Sequence, residues 1–269
     1  MSLISTSELA DRIGTRHLRV FDVRAELGDP TEGRRRYEAG HIPGAVFVEL
    51  EKDLTGREGP GRHPLPRPEE FSATVRRIGV NPTDLVVAYD DNGGAWASRL
   101  WWMLRSLGHA TVRVLDGGFP KWEAEKRPIT QAVPRHVPGD FPTVREWRWV
   151  VDRVTVAASE STVVDARAAA RYRGETEPID PVAGHIPGAV NLPYAGNLAP
   201  DGTFLPKDQL VARFEGIGPN PIVYCGSGVS ACHDILAMDI AGISGVRLYE
   251  GSWSDWIRQQ DAPVATGDE

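Results

Sequence analysis

Cysteine is scarce in this chain: Cys225 and Cys232 are the only two, and they share one short stretch. A structural bridge between them would be awkwardly placed in a protein of 269 residues. No Cys-x-x-Cys occurs and the histidines are not clustered, so no structural zinc site is implied. Uninterrupted apolar runs of bilayer-spanning length are missing as well, which argues against a membrane protein. The first residues lack a basic segment followed by an apolar one, and the expectation is a cytoplasmic protein. Basic side chains are outnumbered by acidic ones, 30 to 37, and the two are interspersed, so nothing favours nucleic acid as a partner. What remains is the composition of an ordinary globular protein, monomeric by default, with 41% hydrophobic residues and a mean hydropathy of -0.30.

What the chain does have is a copy of itself. Gly40-His41-Ile42-Pro43-Gly44-Ala45-Val46 recurs letter for letter as Gly184-His185-Ile186-Pro187-Gly188-Ala189-Val190. Asp22-x-Arg24 precedes the first copy and Asp165-x-Arg167 the second. Downstream, Val86 to Asp90 matches the segment ending in Tyr224-Cys225, and Asp116-Gly117-Gly118-Phe119 matches Glu250-Gly251-Ser252-Trp253. A tandem duplication predicts two domains, 1–130 and 146–269, joined by a proline-bearing linker over 131–145. In each half, short β-branched runs (Leu18 to Val23, Leu85 to Tyr89, Val112 to Leu115; Thr162 to Val164, Ile222 to Tyr224, Val246 to Tyr249) alternate with helical patterns. Ser5 to Glu8 reads as a capping box. Such alternation predicts an α/β fold with mainly parallel sheets flanked by helices.

The chemistry concentrates in Cys225-Gly226-Ser227-Gly228-Val229-Ser230, which follows an apolar strand and precedes a helical pattern. Small residues let backbone N–H groups curl around the sulfur, with Gly226 and Gly228 permitting the bend, and the helix start adds positive potential. Surroundings of that kind favour a thiolate and make Cys225 a candidate nucleophile. The position five residues beyond the one after Cys225, where a cysteine phosphatase or arsenate reductase needs an arginine, is Ala231, which argues against phosphate chemistry. Cys232 reads as core packing. His41, His185 and the two Asp-x-Arg pairs occur in both halves and read as structural.

The paired Asp-x-Arg and Gly-His-Ile-Pro-Gly-Ala segments, the Gly-Ser-Trp-Ser-Asp-Trp end and the Cys225 loop resemble a tandem rhodanese-type sulfurtransferase, over nearly the whole chain. The resemblance implies two rhodanese-like domains, the first catalytically silent, with Asp90 standing where the second has Cys225. It also implies a site between the domains and transfer of a sulfane sulfur through a Cys225 persulfide. The donor would be 3-mercaptopyruvate or thiosulfate, and the acceptor a thiol, cyanide or a thioredoxin-like protein. No cofactor is implied. Cys-Gly-Ser-Gly-Val is the loop of the mercaptopyruvate type, and thiosulfate-specific rhodaneses carry basic residues where Gly226 and Ser227 stand. Ser227 would work with His63 and Asp53, and Arg171 would hold the donor's carboxylate. Gly226, Gly228, Val229 and Ser230 would line the donor. The second arginine usual just before the repeated motif is absent: Glu175 to Ala183 contains acids and no arginine. A thiosulfate-specific enzyme, or a sulfur-carrying interaction module without turnover of its own, remain alternatives.

Overall fold

Alternating strand and helix signals produce two sheets, one in each of two units. The computed structural model describes residues 2–268. One unit comprises Met1–Gly56, Pro66–Arg148 and Pro200–Phe204; the other comprises Arg57–Leu65, Trp149–Ala199 and Leu205–Glu269. The division therefore does not follow the sequence halves, because the segment carrying His63 clusters with the second unit.

The first unit holds β1 (Leu3–Ile4), α1 (Thr6–Arg12), β2 (Leu18–Asp22), α2 (Glu32–Ala39), β3 (Ala45–Phe47), α3 (Leu50–Asp53), α4 (Pro68–Arg77), β4 (Leu85–Tyr89), α5 (Ala97–Ser106), β5 (Val112–Leu115) and α6 (Gly118–Ala124). Its five strands pair in the order β1-β5-β4-β2-β3, all parallel. The first helix starts as its cap predicts, with the Ser5 hydroxyl accepting from the Glu8 amide at 3.1 Å. Residues 131–145 contain no helix or strand, yet they are not loose. Gly139 donates to the Arg76 carbonyl at 2.8 Å, and the Arg76 guanidinium donates to the Phe141 carbonyl at 2.9 Å, which pins this stretch to α4.

The second unit holds β6 (Val150–Val151), α7 (Arg153–Ala157), β7 (Val163–Asp165), α8 (Ala169–Tyr172), β8 (Val190–Asn191), a 3-10 turn (Tyr194–Asn197), α9 (Lys207–Arg213), β9 (Ile222–Tyr224), α10 (Ala231–Ala241), β10 (Arg247–Tyr249) and α11 (Ser252–Trp256). The order β6-β10-β9-β7-β8 repeats that of the first sheet and is again parallel throughout. Val163, Ile222, Tyr224, Tyr249, Trp253 and Trp256 form its core. The loop after β9 thus leaves the carboxyl end of the central strand, where open α/β sheets place their ligand sites.

Both copies of the repeated motif are structural. The His41 ring stacks on Tyr37 at 3.9 Å and its Nδ1 meets the Tyr37 carbonyl at 2.8 Å; His185 does the same with Tyr172 at 3.6 and 2.8 Å. Arg24 pairs with Asp22 at 2.6 Å and donates to the Gly40 carbonyl at 2.7 Å. Arg167 pairs with Asp165 at 2.6 Å and donates to the Gly184 carbonyl at 2.7 Å. Burial is the largest influence on Arg167 and opposes its charge, but Asp165 more than offsets it, so its pKa lies above the ordinary arginine value. Removing one partner of a buried pair strands the other. Arg167→Ala is therefore expected to destabilise the protein by about 3–5 kcal/mol, and Asp165→Asn in the same chain to recover part of that loss, as read by urea denaturation.

Candidate active site

The loop after β4 shows what such a turn is built to hold. Asp90 follows β4 and is fully buried, and its two carboxylate oxygens accept four backbone amides. Oδ1 takes Asn92 at 2.9 Å and Gly94 at 2.8 Å, and Oδ2 takes Trp96 and Ala97, each at 2.8 Å. Burial pushes the Asp90 pKa up, while the amides oppose this; since an amide only donates, four of them fit the ionised form.

Cys225 occupies the matching place after β9 and is 2% exposed. Its amide donates to the Ser252 hydroxyl at 3.1 Å and its carbonyl accepts from Trp253 at 3.0 Å. Gly228 has φ +77° and makes the left-handed turn expected of it. Gly226 does not: its backbone is outside the left-handed region, and a side chain there would instead crowd the ends of two arginines. A Cβ at 226 would lie 3.0 Å from Arg62 Nη2 and 3.5 Å from Arg171 Nη1 and Nη2. Val229 and Ser230 complete the turn into α10, with Val229 accepting from Cys232 and Ser230 from His233, each at 3.0 Å. The amides of Ser227, Val229 and Ala231 have no acceptor among the described residues. Cys232 is buried and its thiol donates to the Gly228 carbonyl at 3.4 Å, a packing role.

Ser227 and His63 meet: His63 Nδ1 lies 2.7 Å from Ser227 Oγ, and both residues are 7% exposed. The segment bearing His63 is anchored within the same unit. Arg62 donates its amide to Ser254 Oγ at 3.1 Å, Leu65 to Glu250 at 2.9 Å, and Arg258 donates to the Gly61 carbonyl at 2.9 Å. Asp53 ends α3 in the other unit, where its carboxylate accepts from Arg77 at 2.5 Å and from the Glu49 amide at 2.9 Å.

Arg171, at the end of α8, is held by Glu177 at 2.7 and 3.1 Å and by Asp180 at 3.2 Å. Burial raises the pKa of Glu177, but Arg171 and the Asp180 and Ile179 amides outweigh it and leave a net lowering; in Asp180 burial wins and the pKa rises. Three residues of this site were not foreseen. Arg62 carries no motif, while Ser252 and Ser254 lie in the Gly-Ser-Trp-Ser-Asp-Trp end, which by itself gave neither a role. Ser252 could have been found, because it stands at φ +53° where the silent copy has Gly118 at φ +57°. A serine accepting that strained conformation beside a nucleophile supplies the hydroxyl that receives the Cys225 amide. A cavity of about 940 Å³ in this unit is lined by residues such as Val154, Ile186 and Trp256 and by none of these side chains.

The profile of the rhodanese-like domain matches residues 5–125 and again 150–259. The chain belongs to the rhodanese family. This rhodanese is 44% identical to a Pseudomonas aeruginosa protein named probable 3-mercaptopyruvate sulfurtransferase, over 99% of this chain and 98% of that one. It is 34% identical to thiosulfate sulfurtransferase of Rattus norvegicus, over 98% and 94%. Among solved structures, SseA of Escherichia coli, a 3-mercaptopyruvate sulfotransferase, matches with a TM-score of 0.82 at 32% identity, over 94% of this chain and all of that one.

Behind the loop, Asp234 in the first turn of α10 is fully buried. Its Oδ1 accepts from Asn197 at 2.6 Å, and its Oδ2 has no partner among the described residues. Burial pushes its pKa up to about 8. The folded state then keeps a proton that the unfolded chain releases near pH 4, so stability falls as pH rises from about 4 through about 8. Asp234→Asn should flatten the fall in melting temperature between pH 5 and 9 and gain on the wild type at the alkaline end, by about 1.4 kcal/mol per pKa unit removed.

Proposed function

We propose that this rhodanese is a sulfurtransferase that takes the sulfur of 3-mercaptopyruvate onto Cys225 and passes it to a thiol or cyanide. The observation carrying this reading is the pair of loops. Asp90 satisfies four converging amides with oxygens two bonds beyond Cβ. The outer sulfur of a cysteine persulfide is also two bonds beyond Cβ and anionic. The amides of Ser227, Val229 and Ala231, equivalent to Asn92, Gly94 and Trp96, await such an acceptor. Asp90 is in this sense a permanent likeness of the charged intermediate, in the copy that does no chemistry.

In the first half-reaction the Cys225 thiolate attacks the donor's sulfur. A Cys225–S bond forms, the donor's C–S bond breaks, and its electron pair leaves as the enolate of pyruvate. The proton from the donor's thiol goes to that enolate carbon, and the Ser227–His63 pair, 2.7 Å apart, is the proposed carrier. Asp53 enters the proposal as the third member only through family resemblance. In the second half-reaction a thiolate or cyanide takes the outer sulfur and Cys225 returns as thiolate. No oxidant, metal or organic cofactor is consumed. A thioredoxin-like protein thiol is among the proposed acceptors, and a cytoplasmic monomer is the proposed working form; no helix among the described residues is long and apolar enough to cross a membrane.

Cys225→Ser should abolish turnover with every donor and leave no species heavier by one sulfur in mass spectrometry. Full activity in that protein would end the reading. Ser227→Ala is expected to lower kcat with mercaptopyruvate by about 100-fold or more, and with thiosulfate, which needs no proton delivered to carbon, far less. Equal losses on both donors would reduce Ser227 to a loop-shaping role. Cys225→Asp should be inactive and melt above Cys225→Ser, because a carboxylate fills the amide cradle.

A further inference from the structure

The copy that carries Cys225 has a stretch of chain that the other copy lacks. Tyr37 stacks on His41 with three residues between them, whereas Tyr172, stacked in the same way on His185, is followed by twelve residues before that histidine. The added length includes Pro178-Ile179-Asp180-Pro181-Val182, of which every residue but Asp180 is exposed. The duplicated fold does not require this apolar edge, because the first unit closes the same turn without it. The loop is nevertheless held in place. Glu177 Oε1 accepts from the amides of Ile179 and Asp180, each at 3.1 Å, and two prolines fix their own φ angles. The buried Asp180 carboxylate pairs with Arg62 and, at 3.2 Å, accepts from Arg171. The loop is also tied to the surroundings of the nucleophile on two sides. Arg62 and Arg171 both reach the space beside Gly226, the residue after Cys225. Trp253, whose amide donates to the Cys225 carbonyl, donates its indole N–H to the Val182 carbonyl at 2.8 Å.

We propose that the Pro178–Val182 loop is the docking edge for a protein acceptor, one that presents its thiol on an apolar surface. The proposal rests on Cys225 being the sulfur carrier. Cys225 is 2% exposed, so a thiol carried on a protein reaches its outer sulfur only when the protein's surface comes down onto the rim of the site. On that rim the exposed side chains of Pro178, Ile179, Pro181 and Val182 lose water on contact, a gain of about 25 cal/mol per Å² of apolar surface covered. Because the prolines and Asp180 already fix the loop, little ordering entropy is lost when it docks. Cyanide and small thiols gain nothing from the edge, being too small to touch it and Cys225 together. In the transfer the acceptor's thiolate attacks the outer sulfur, a bond forms between the two sulfurs, and the Cys225–S bond breaks with its electron pair left on Cys225. The acceptor leaves as a persulfide. With a dithiol such as reduced thioredoxin, the second thiol then displaces that sulfur as hydrosulfide and closes a disulfide.

The test is steady-state kinetics of the full chain with 3-mercaptopyruvate as donor and reduced thioredoxin, dithiothreitol or cyanide as acceptor. Ile179→Ser, Val182→Ser and the double variant are compared with the wild type, beside Cys225→Ser. Both side chains are exposed and the hydrogen bonds at these two positions run through backbone groups, so the variants keep the loop, and circular dichroism checks the fold. The wild type is expected to have a KM for thioredoxin about tenfold or more below that for dithiothreitol. The double variant should raise the thioredoxin KM about tenfold to a hundredfold and leave the constants for dithiothreitol and cyanide within about twofold. Each single variant should show part of that loss, and the two replace the double variant should it not fold. A wild type that uses thioredoxin no better than dithiothreitol, an unchanged thioredoxin KM in the variants, or equal losses on all three acceptors would overturn the docking edge. If the substitutions instead dissociate a dimer seen by light scattering and leave the thioredoxin constants unchanged, the loop is an interface between copies of this chain and the proposal falls. An inactive Cys225→Ser leaves the persulfide reading standing in each of these cases, and an active one removes the reading on which the docking edge rests.

Discussion

A ring of backbone amides pointing at one spot must be given an anion there, because a buried N–H left without an acceptor costs roughly 1–3 kcal/mol. This demand is common to both units, since each has a short loop after the central strand of a five-stranded parallel sheet. The first unit meets it with a residue of its own: Asp90 takes four amides and closes the loop permanently. The second has a thiol at that point, one atom shorter and neutral when protonated. Its amides at Ser227, Val229 and Ala231 have no acceptor among the described residues. The duplicated scaffold thus differs between its copies in the occupant of one loop, Asp90 in the first and Cys225 in the second.

The surroundings hold that loop from below. In the second unit the Asp165–Arg167 pair is almost wholly buried, and Arg167 also donates to Gly184 and lies 4.7 Å over the Trp253 ring. Trp253 in turn donates its amide to Cys225. A buried ion pair is thus coupled through one tryptophan to the backbone of Cys225. Ser252, in a left-handed conformation that glycine takes in the silent copy, adds the hydroxyl on the Cys225 amide. These contacts fix the direction in which the sulfur leaves the backbone.

Above the loop the design is different in kind. Charges there are arranged in alternation, Glu177 to Arg171 to Asp180 to Arg62, with the acids buried and the arginines at the rim. Such an array keeps the guanidiniums oriented at little net charge. The same stretch of nine residues, Arg57–Leu65, brings Arg62 to Asp180 and His63 to Ser227.

The sequence by itself determined the duplication, the strand-and-helix alternation, the loop that carries the candidate nucleophile and the structural standing of His41, His185 and the Asp-x-Arg pairs. These are properties of local pattern: periodicity, glycine and proline placement, and letter-for-letter repetition survive in one dimension. It also paired Ser227 with His63, though only through resemblance. Tertiary structure alone decided that residues 57–65 cluster with the second unit, that a side chain at Gly226 would crowd two arginine ends while the left-handed turn is made at Gly228, and that Asp53 is engaged by Arg77 and Glu49. It also showed that an arginine with no motif of its own stands beside Arg171. The reason is physical: an isolated Arg62 carries no periodic or conformational signature, and its meaning comes from a carboxylate more than a hundred residues away that only folding brings within reach.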